Sequence, residues 1–349
     1  MQAIIPSQSS TPAPVPEGLA LAGQAANAYA RAAVFTDFLE RKAPRTVRRH
    51  RDDLATFAAF LAEAGIPDPP DADALQTTPE AWRGITWGLV AGFVRWMLAK
   101  GYAVGTVNVK LSTVKTYAKL AHAAGVLDNT EAALIANVRG YGHKEAANLD
   151  AKRETTRIGR KKAQPVRITP EAAAILKRPA DDTPQAKRDA AMMALLLDHG
   201  LRVGELAGLK VGDVNLEAWE LRFYREKVKK TQTHRLTLDA VSALVAYLAE
   251  IDASDPEAPL LRASKRGGQL TDKGMTTRAI TKRVRLLGER LGIQGLSAHD
   301  CRHYWATQAA RNGTDVLSLK QAGGWASLAM PARYVEEAEI ANEGVKLSS

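Results

Sequence analysis

Residues 107–121 read VNVKLSTVKTYAKLA, and this stretch decides the fold class. Its apolar residues Val107, Leu111, Val114, Ala118 and Ala121 recur at spacings of 4, 3, 4 and 3. That period lays an apolar stripe along an α-helix, expected here over 106–125. The same period runs outward from it. Val47, Leu54, Phe57 and Leu61 share one face of a helix starting near Pro44. A third helix is expected from Trp87 to Lys100, where Gly101 ends it, and a shorter one over 128–139. Thr78-Pro79-Glu80 and Asn129-Thr130-Glu131 are helix-start signals. No segment before Gly142 reads as a convincing strand, so residues 19–145 are expected to form a helical domain.

The chain changes character after that. Residues 146–168 read as a basic linker, and KRETTRIGRKK at 152–162 holds six basic residues, one acid and no apolar face. It is either a solvated connection or a segment lying along phosphates, and the two are compatible. Residues 169–349 form the second domain. Thr169-Pro170-Glu171 opens a helix, and another runs from Pro184 to His199 before Gly200. Leu221–Tyr224 and Arg235–Leu238 read as two strands of a small antiparallel hairpin around a basic turn. Helices resume over 240–251, 275–291, 298–312 and 316–322. The expected fold is mainly α, a helical N-terminal domain followed by a mixed α+β domain with a small antiparallel sheet. Residues 1–18, rich in Ser, Thr, Pro and Ala, read as a disordered tail.

Length and charge narrow the function. A chain of 349 residues exceeds the usual single domain. Lys and Arg total 48 against 38 Asp and Glu, a net charge of +10, which points to a polyanionic partner: nucleic acid or an anionic membrane face. The single cysteine, Cys301, excludes an internal disulfide and a cysteine-based zinc site, and reads as a small buried residue. No apolar run approaches the roughly 20 residues that span a bilayer; the longest, Ala190–Leu197, stops at Asp198. No Lys or Arg precedes Arg31, and Pro6, Pro12, Pro14 and Pro16 break the N-terminus, unlike a secretory or transit signal. The expectation is an intracellular, cytoplasmic protein bound to nucleoid DNA, with no membrane partner.

Several polar residues stand where a helical core does not need them. Arg202 follows Gly200-Leu201 and precedes Glu205, and His299 and Arg302 lie at i and i+3 on one helix. Lys227, Lys229 and Lys230 make the basic turn, and Trp325 follows Gly323-Gly324, nine residues before Tyr334. Taken singly, these are a solvated helix end, a structural pair, a solvated hairpin and a packing tyrosine. In order and spacing, LLLDHGLRVGELAGLKVGDV (195–214), KKTQTHRLTL (229–238) and LSAHDCRHYWATQAARNGTDVLSLKQAGGWASLAMPARY (296–334) resemble the active-site series of the tyrosine recombinase (phage integrase) family. APRTVRRHRDDLATFAAFLAEAG (43–65) and VGTVNVKLSTVKTYAKLA (104–121) resemble its helical core-binding domain, so the likeness covers roughly residues 20 to 340. Trp325 stands where many relatives carry a second His, as in Cre recombinase.

The resemblance implies a site-specific recombinase that cuts and reseals DNA through a 3′-phosphotyrosine, with no metal, ATP or other cofactor. Tyr334 is the implied nucleophile, and the covalent link conserves the bond energy for resealing. Arg202 and Arg302 suit the nonbridging oxygens of the transition state, because a planar guanidinium offers two parallel donors. Lys230, five residues before Arg235, is the implied acid for the 5′-oxygen, with Lys229 and Lys227 as alternatives. His299 either accepts the Tyr334 proton or bonds a phosphate oxygen. Trp325 offers an indole N–H and a packing face. Glu205 orients Arg202 or His299, and His303 supports the site or packs. Met330-Pro331 departs from the small polar residues usual before the tyrosine. Pro331 either opens a short helix carrying Tyr334 or kinks it.

Double-stranded DNA is the expected partner. Lys110, Lys115 and Lys119 lie on the helix most suited to a groove, and Lys152, Arg153, Arg160, Lys161 and Lys162 lie in the linker, where two domains could close around a duplex. By resemblance the active form is a tetramer on two DNA sites, with accessory DNA-bending proteins as further partners. The segment after Tyr334 either docks on a neighbour or frays. The competing readings are a type IB topoisomerase-like enzyme and a catalytically silent DNA-binding protein.

Overall fold

In the computed structural model, which describes residues 17–153, 165–265 and 267–338, fifteen α-helices and five short strands are found among the described residues. They divide into two units, with the boundary between Lys161 and Lys162.

The first unit is helical: α1 (Glu17–Glu40), α2 (Pro44–Glu63), α3 (Ala72–Thr77), α4 (Trp87–Ala99), α5 (Val104–Ala123), α6 (Asn129–Asn137) and α7 (His143–Asp150). The apolar stripe of α5 is its centre. Val107, Leu111, Val114, Ala118 and Ala121 of α5 are buried against Leu54, Phe57 and Leu61 of α2. Burying each large side chain contributes about 1.5–3 kcal/mol. Trp82 is fully buried among them and donates its Nε1–H to the Leu75 carbonyl at 2.9 Å. Three details differ from the expectation. Thr78-Pro79-Glu80 opens only a 3₁₀ turn, Pro79–Trp82. Residues 146–150, read as linker, are the end of α7. Residues 17 and 18, read as tail, begin α1, while 1–16 lie outside the described residues.

The second unit runs α8 (Pro170–Leu176), α9 (Pro184–His199), α10 (Val203–Ala207), β1 (Val214–Asn215), β2 (Glu220–Arg225), β3 (Lys230–Arg235), α11 (Leu238–Leu248), β4 (Arg262–Ser264), β5 (Leu270–Gly274), α12 (Thr277–Arg290), α13 (Ala298–Arg311), α14 (Val316–Gly323) and α15 (Ala329–Ala338). Helix α9 is buried nearly all round, from Ala186 to His199, and is the axis of the core. Side chains of Thr169, Thr183, Thr237, Thr276 and Ser297 cap their helices by accepting a backbone N–H three residues on.

The hairpin is present, but its second strand is not where the sequence reading put it. Strand β3 is Lys230–Arg235, pairing antiparallel with β2, and β1 extends the sheet in the order β1-β2-β3. Of residues 235–238, expected as the strand, Arg235 ends β3 and the rest lead into α11. The Thr237 hydroxyl accepts the Ala240 N–H, which starts a helix at Leu238. Lys230-Thr231-Gln232-Thr233-His234 is polar throughout, so nothing in its hydropathy marked it as a strand.

Candidate active site

Gly200 ends α9 with φ +59, and a Cβ there would come within 2.3 Å of the Trp305 ring. This tight left-handed stop turns the chain so that Arg202 stands at the N-cap of α10. Glu205, one turn on, accepts the Arg202 backbone N–H at 2.9 Å and its Nη1 at 2.7 Å. The pairing at i, i+3 fixes the guanidinium over its own helix start. Helix α13 begins at a reciprocal cap in which Ser297 and Asp300 bond each other, Ser297 N–H reaching Asp300 Oδ2 at 2.7 Å. Arg302, His299 and His303 then fall on its first turns.

The guanidiniums meet at the end of α14. Arg302, only 4% exposed, donates to the Gly200 carbonyl at 2.6 Å and to the Gly323 carbonyl. Arg202 reaches Gly323 O at 3.4 Å and Gly324 O at 3.1 Å. A third arginine joins them, Arg225 at the end of β2. It is fully buried and donates to Gly323 O at 2.9 Å, to Ala322 O at 2.6 Å, and at 3.3 Å to each Glu205 oxygen. The unsatisfied carbonyls and negative dipole end of a helix C-terminus attract such donors. Burial, with Arg202 and Arg225 nearby, lowers the Arg302 pKa to about 9, and burial lowers that of Arg225 to about 10. Arg202 and Arg225 thus pair with the Glu205 carboxylate, whose charge Arg302 also feels.

Tyr334 lies beside this cluster. Helix α15 carries it, and Pro331 sits in the first turn of that helix, where the missing N–H is tolerated. The ring is 2% exposed, packed with Ala306, Leu319 and Trp325. Its Oη is 3.1 Å from His303 Nδ1, and His303 Nε2 is 3.2 Å from His299 Nε2. His299 is exposed. Trp325 stacks beneath Arg302, whose guanidinium carbon is 4.4 Å from the ring centroid, and against Trp305 at 6.0 Å. Arg202, Glu205, Arg302, His299, His303, Trp325 and Tyr334 are therefore brought together. Lys230 is exposed at the first position of β3, in register with Arg225. Cys301 is fully buried. Among the described residues no group of three or more His, Cys, Asp or Glu side chains could hold a metal ion, and no helix is long and apolar enough to cross a membrane.

Arg225 was missed in the sequence, yet a signal was there. Leu221, Phe223 and Arg225 alternate onto the buried face of β2, and a charge at a core position of a strand demands partners.

The nucleic-acid candidates separate by their contacts. Lys110 is held by Thr56 Oγ1 at 2.8 Å and Asp53 at 3.3 Å, and Lys115 donates to Val138 O at 3.0 Å. Lys119 is exposed on the wall of a cleft of about 1040 Å³ between α5 and α6, also lined by Lys115, His122 and Arg139. Arg153 pairs with Asp150 and donates to Leu98 O and Tyr102 O, which ties it to its own unit, while Lys152 is exposed. Arg160, Lys161 and Lys162 lie outside the described residues.

Comparison with known proteins agrees with this architecture. A sequence model of the phage integrase family matches residues 167–339. Tyrosine recombinase XerC of Thermodesulfovibrio yellowstonii is 25% identical over 297 residues, covering 83% of this chain and 84% of that protein. XerC of a Methylobacterium species is 28% identical over 305 residues, covering 85% and 84%. Among solved structures, a lambda integrase (75–356) dimer bound to a COC′ core site superposes with a TM-score of 0.59 at 15% identity, covering 90% of this chain and 95% of that one. The Tn1549 transposon integrase, in complex with transposon right end DNA, gives 0.59 at 14% identity, covering 87% and 94%.

Proposed function

From the premise that the chain belongs to the phage integrase family of tyrosine recombinases, we propose the following division of labour at its site. The protein is a site-specific DNA recombinase. Tyr334 Oη attacks the scissile phosphorus, the P–O5′ bond breaks, and a 3′-phosphotyrosine and a 5′-hydroxyl result. Arg202 and Arg302 bind the two nonbridging oxygens, and Lys230 protonates O5′. The Tyr334 proton passes to the His303–His299 pair. Glu205 orients Arg202, and Trp325 supports Arg302 from below.

One observation carries the reading. Three guanidiniums, two of them paired with Glu205, converge on one short run of carbonyls next to the Tyr334–His303 contact. Burying that excess of positive charge is costly without an anion. A phosphodiester oxygen offers a stronger acceptor than a peptide carbonyl, so DNA entering the site takes over donors that the end of α14 now holds. The helical unit is proposed to bind the duplex, through phosphate contacts from the α5–α6 cleft and Lys152. Solved relatives are DNA-bound, and one is a dimer. By extension we propose an oligomer that becomes a tetramer on two sites, acting on DNA in the cytoplasm.

The test is a nicked suicide duplex from the protein's own recombination site. The expected result is a covalent adduct, lost in Tyr334→Phe with DNA binding unchanged. Recombinant joints between two duplexes are expected as well. Adduct without joints would favour a topoisomerase-like enzyme, and an adduct surviving in Tyr334→Phe would refute the nucleophile.

A further inference from the structure

The end of α14 presents carbonyls that accept from both the backbone and the hairpin. The backbone closes part of it: Gly324 N–H donates to Gln321 O at 3.1 Å and Trp325 N–H to Lys320 O at 3.1 Å. The hairpin supplies the rest. Gln232 of β3 donates Nε2–H to Gln321 O at 2.7 Å. Arg225 of β2 takes Ala322 O at 2.6 Å and Gly323 O at 2.9 Å. The same guanidinium touches Glu205, the partner of Arg202, and stands 4.7 Å from the Phe223 ring centroid. A Cβ on Gly324 would meet Arg225 Cδ at 2.6 Å, so the turn after α14 is shaped around this side chain. One fully buried arginine therefore joins the hairpin, the α10 start and the α14 end.

The register gives this a consequence. Arg225 pairs directly with Lys230, and the two close the hairpin at its turn, where Lys229 takes φ +47. Directly opposed residues of an antiparallel pair stand about 4.5–5.5 Å apart at Cα, on the same face. Where Arg225 is fastened, Lys230 is fastened too. Lys230 is itself exposed at the strand end, so its place depends on the strand to which it is paired.

We infer that Arg225 is a positioning residue for this reaction: by bolting the base of the β2–β3 turn to the end of α14, it holds Lys230 at the leaving 5′-oxygen. The inference rests on the proposed role of Lys230 as the acid. Being fully buried, Arg225 acts through its neighbours and is not a phosphate ligand.

The test compares two suicide duplexes in single-turnover cleavage, one with the natural 5′-oxygen and one with a bridging 5′-sulfur at the scissile phosphate. In both, the Tyr334 Oη–P bond forms and the bond to the 5′ atom breaks. The oxygen needs a proton to leave, whereas the sulfur departs as a thiolate. Lys230→Ala is expected to lose activity on oxygen and regain it on sulfur, and Arg202→Ala to lose activity on both. Arg225→Lys is expected to follow Lys230→Ala, slowed at least about tenfold on oxygen and within about threefold of wild type on sulfur. A general acid contributes roughly 10²–10⁴-fold, so partial misplacement falls inside that range. Phe223→Leu, which removes the ring beside the guanidinium and keeps the core apolar, gives the same pattern at smaller amplitude even if Arg225→Lys does not fold. Equal losses on both substrates, or no loss on oxygen, would overturn the inference. Absence of any adduct in wild type would instead sink the functional reading itself, so the two failures are distinguishable.

Discussion

The Asp189 and Glu205 carboxylates are both buried, both paired with arginines and both in the second unit, yet their surroundings do opposite things. Asp189 accepts Arg188 Nη2 at 2.7 Å and Arg283 Nε at 2.6 Å, and Arg188 continues to the Arg262 carbonyl at 2.9 Å. Those guanidiniums diverge. They tie α9 to β4 and α12, three elements far apart in the chain, and Arg188 is only 1% exposed. Around Glu205 the guanidiniums converge on one helix end, beside a tyrosine and two histidines. A buried arginine is therefore no sign of function by itself. Convergence of several on one helix end, beside a tyrosine and two histidines, is the pattern on which the proposed function rests.

The largest expected effects break that comparison directly. Arg202→Ala or Arg302→Ala should lower single-turnover cleavage by about 10²–10³-fold, the usual loss for one transition-state donor. Arg188→Ala should do the reverse. Removing the buried guanidinium leaves Asp189 to Arg283 alone and should cost stability, up to about 3–5 kcal/mol read from urea melts, while cleavage per folded molecule stays near wild type. If Arg188→Ala lost cleavage at full stability, or Arg202→Ala melted early and cleaved normally, the distinction between joint and anion seat would be wrong.

The same contrast explains what could be read in the sequence. Helices α2, α5 and α9 were legible because their apolar residues repeat at the period that buries one face or all of them. Arg202, Arg302, His299 and Tyr334, the residues of the proposed site, could be singled out because their order and spacing resemble a known family's series. Strand β3 was not, because a strand whose inner positions are Gln232 and His234 carries no apolar alternation. Arg225 and Arg188 were equally opaque. Whether a buried arginine joins elements or faces a substrate depends on contacts across roughly a hundred residues, such as Arg225 with Gly323 or Arg188 with Arg262. The contact of His303 was opaque for a similar reason: only the fold puts it 3.1 Å from Tyr334 Oη.

A second expected effect sharpens the comparison by acid. His199, ending α9, and His234, on β3, lie with ring centroids 5.9 Å apart behind the Glu205 cluster. Among the described residues neither Nε2 meets a hydrogen-bond partner. Burial pushes both pKa values down to about 4. Lys177 reinforces this for His199, and His199 and Arg225 do so for His234. The unfolded chain takes up these protons near 6.5, so between about 6.5 and 4 it binds more of them than the folded one. Stability is thus full above pH 6.5 and falls as the pH drops toward 4, by about 2 kcal/mol per histidine between pH 7 and pH 5. His199→Leu should flatten that slope in urea melts. An unchanged slope would show that the pair is not what acid attacks.

The smallest expected effect carries the contrast into the first unit. Asp53 there plays the part of Asp189: it is 5% exposed and holds Arg49 at 2.7 Å, Lys110 at 3.3 Å and the Thr113 hydroxyl at 2.8 Å. Its cations are engaged within the fold, and Lys115 is likewise tied to the Val138 carbonyl. Lys119, exposed on the α5–α6 cleft, is the lysine of that helix best placed to meet a phosphate. Lys119→Ala should weaken DNA binding by a similar factor on every sequence and reduce the slope of log K against log salt by about 1, because one phosphate contact releases about one counterion. Lys115→Ala should change that slope less, since its ammonium must first leave a carbonyl. Titrations from low to moderate salt would measure both. A larger slope change for Lys115 than for Lys119 would mean that the carbonyl contact yields to DNA, and that Lys115, like Arg202 and Arg302 in the proposed reaction, exchanges a carbonyl for a phosphate.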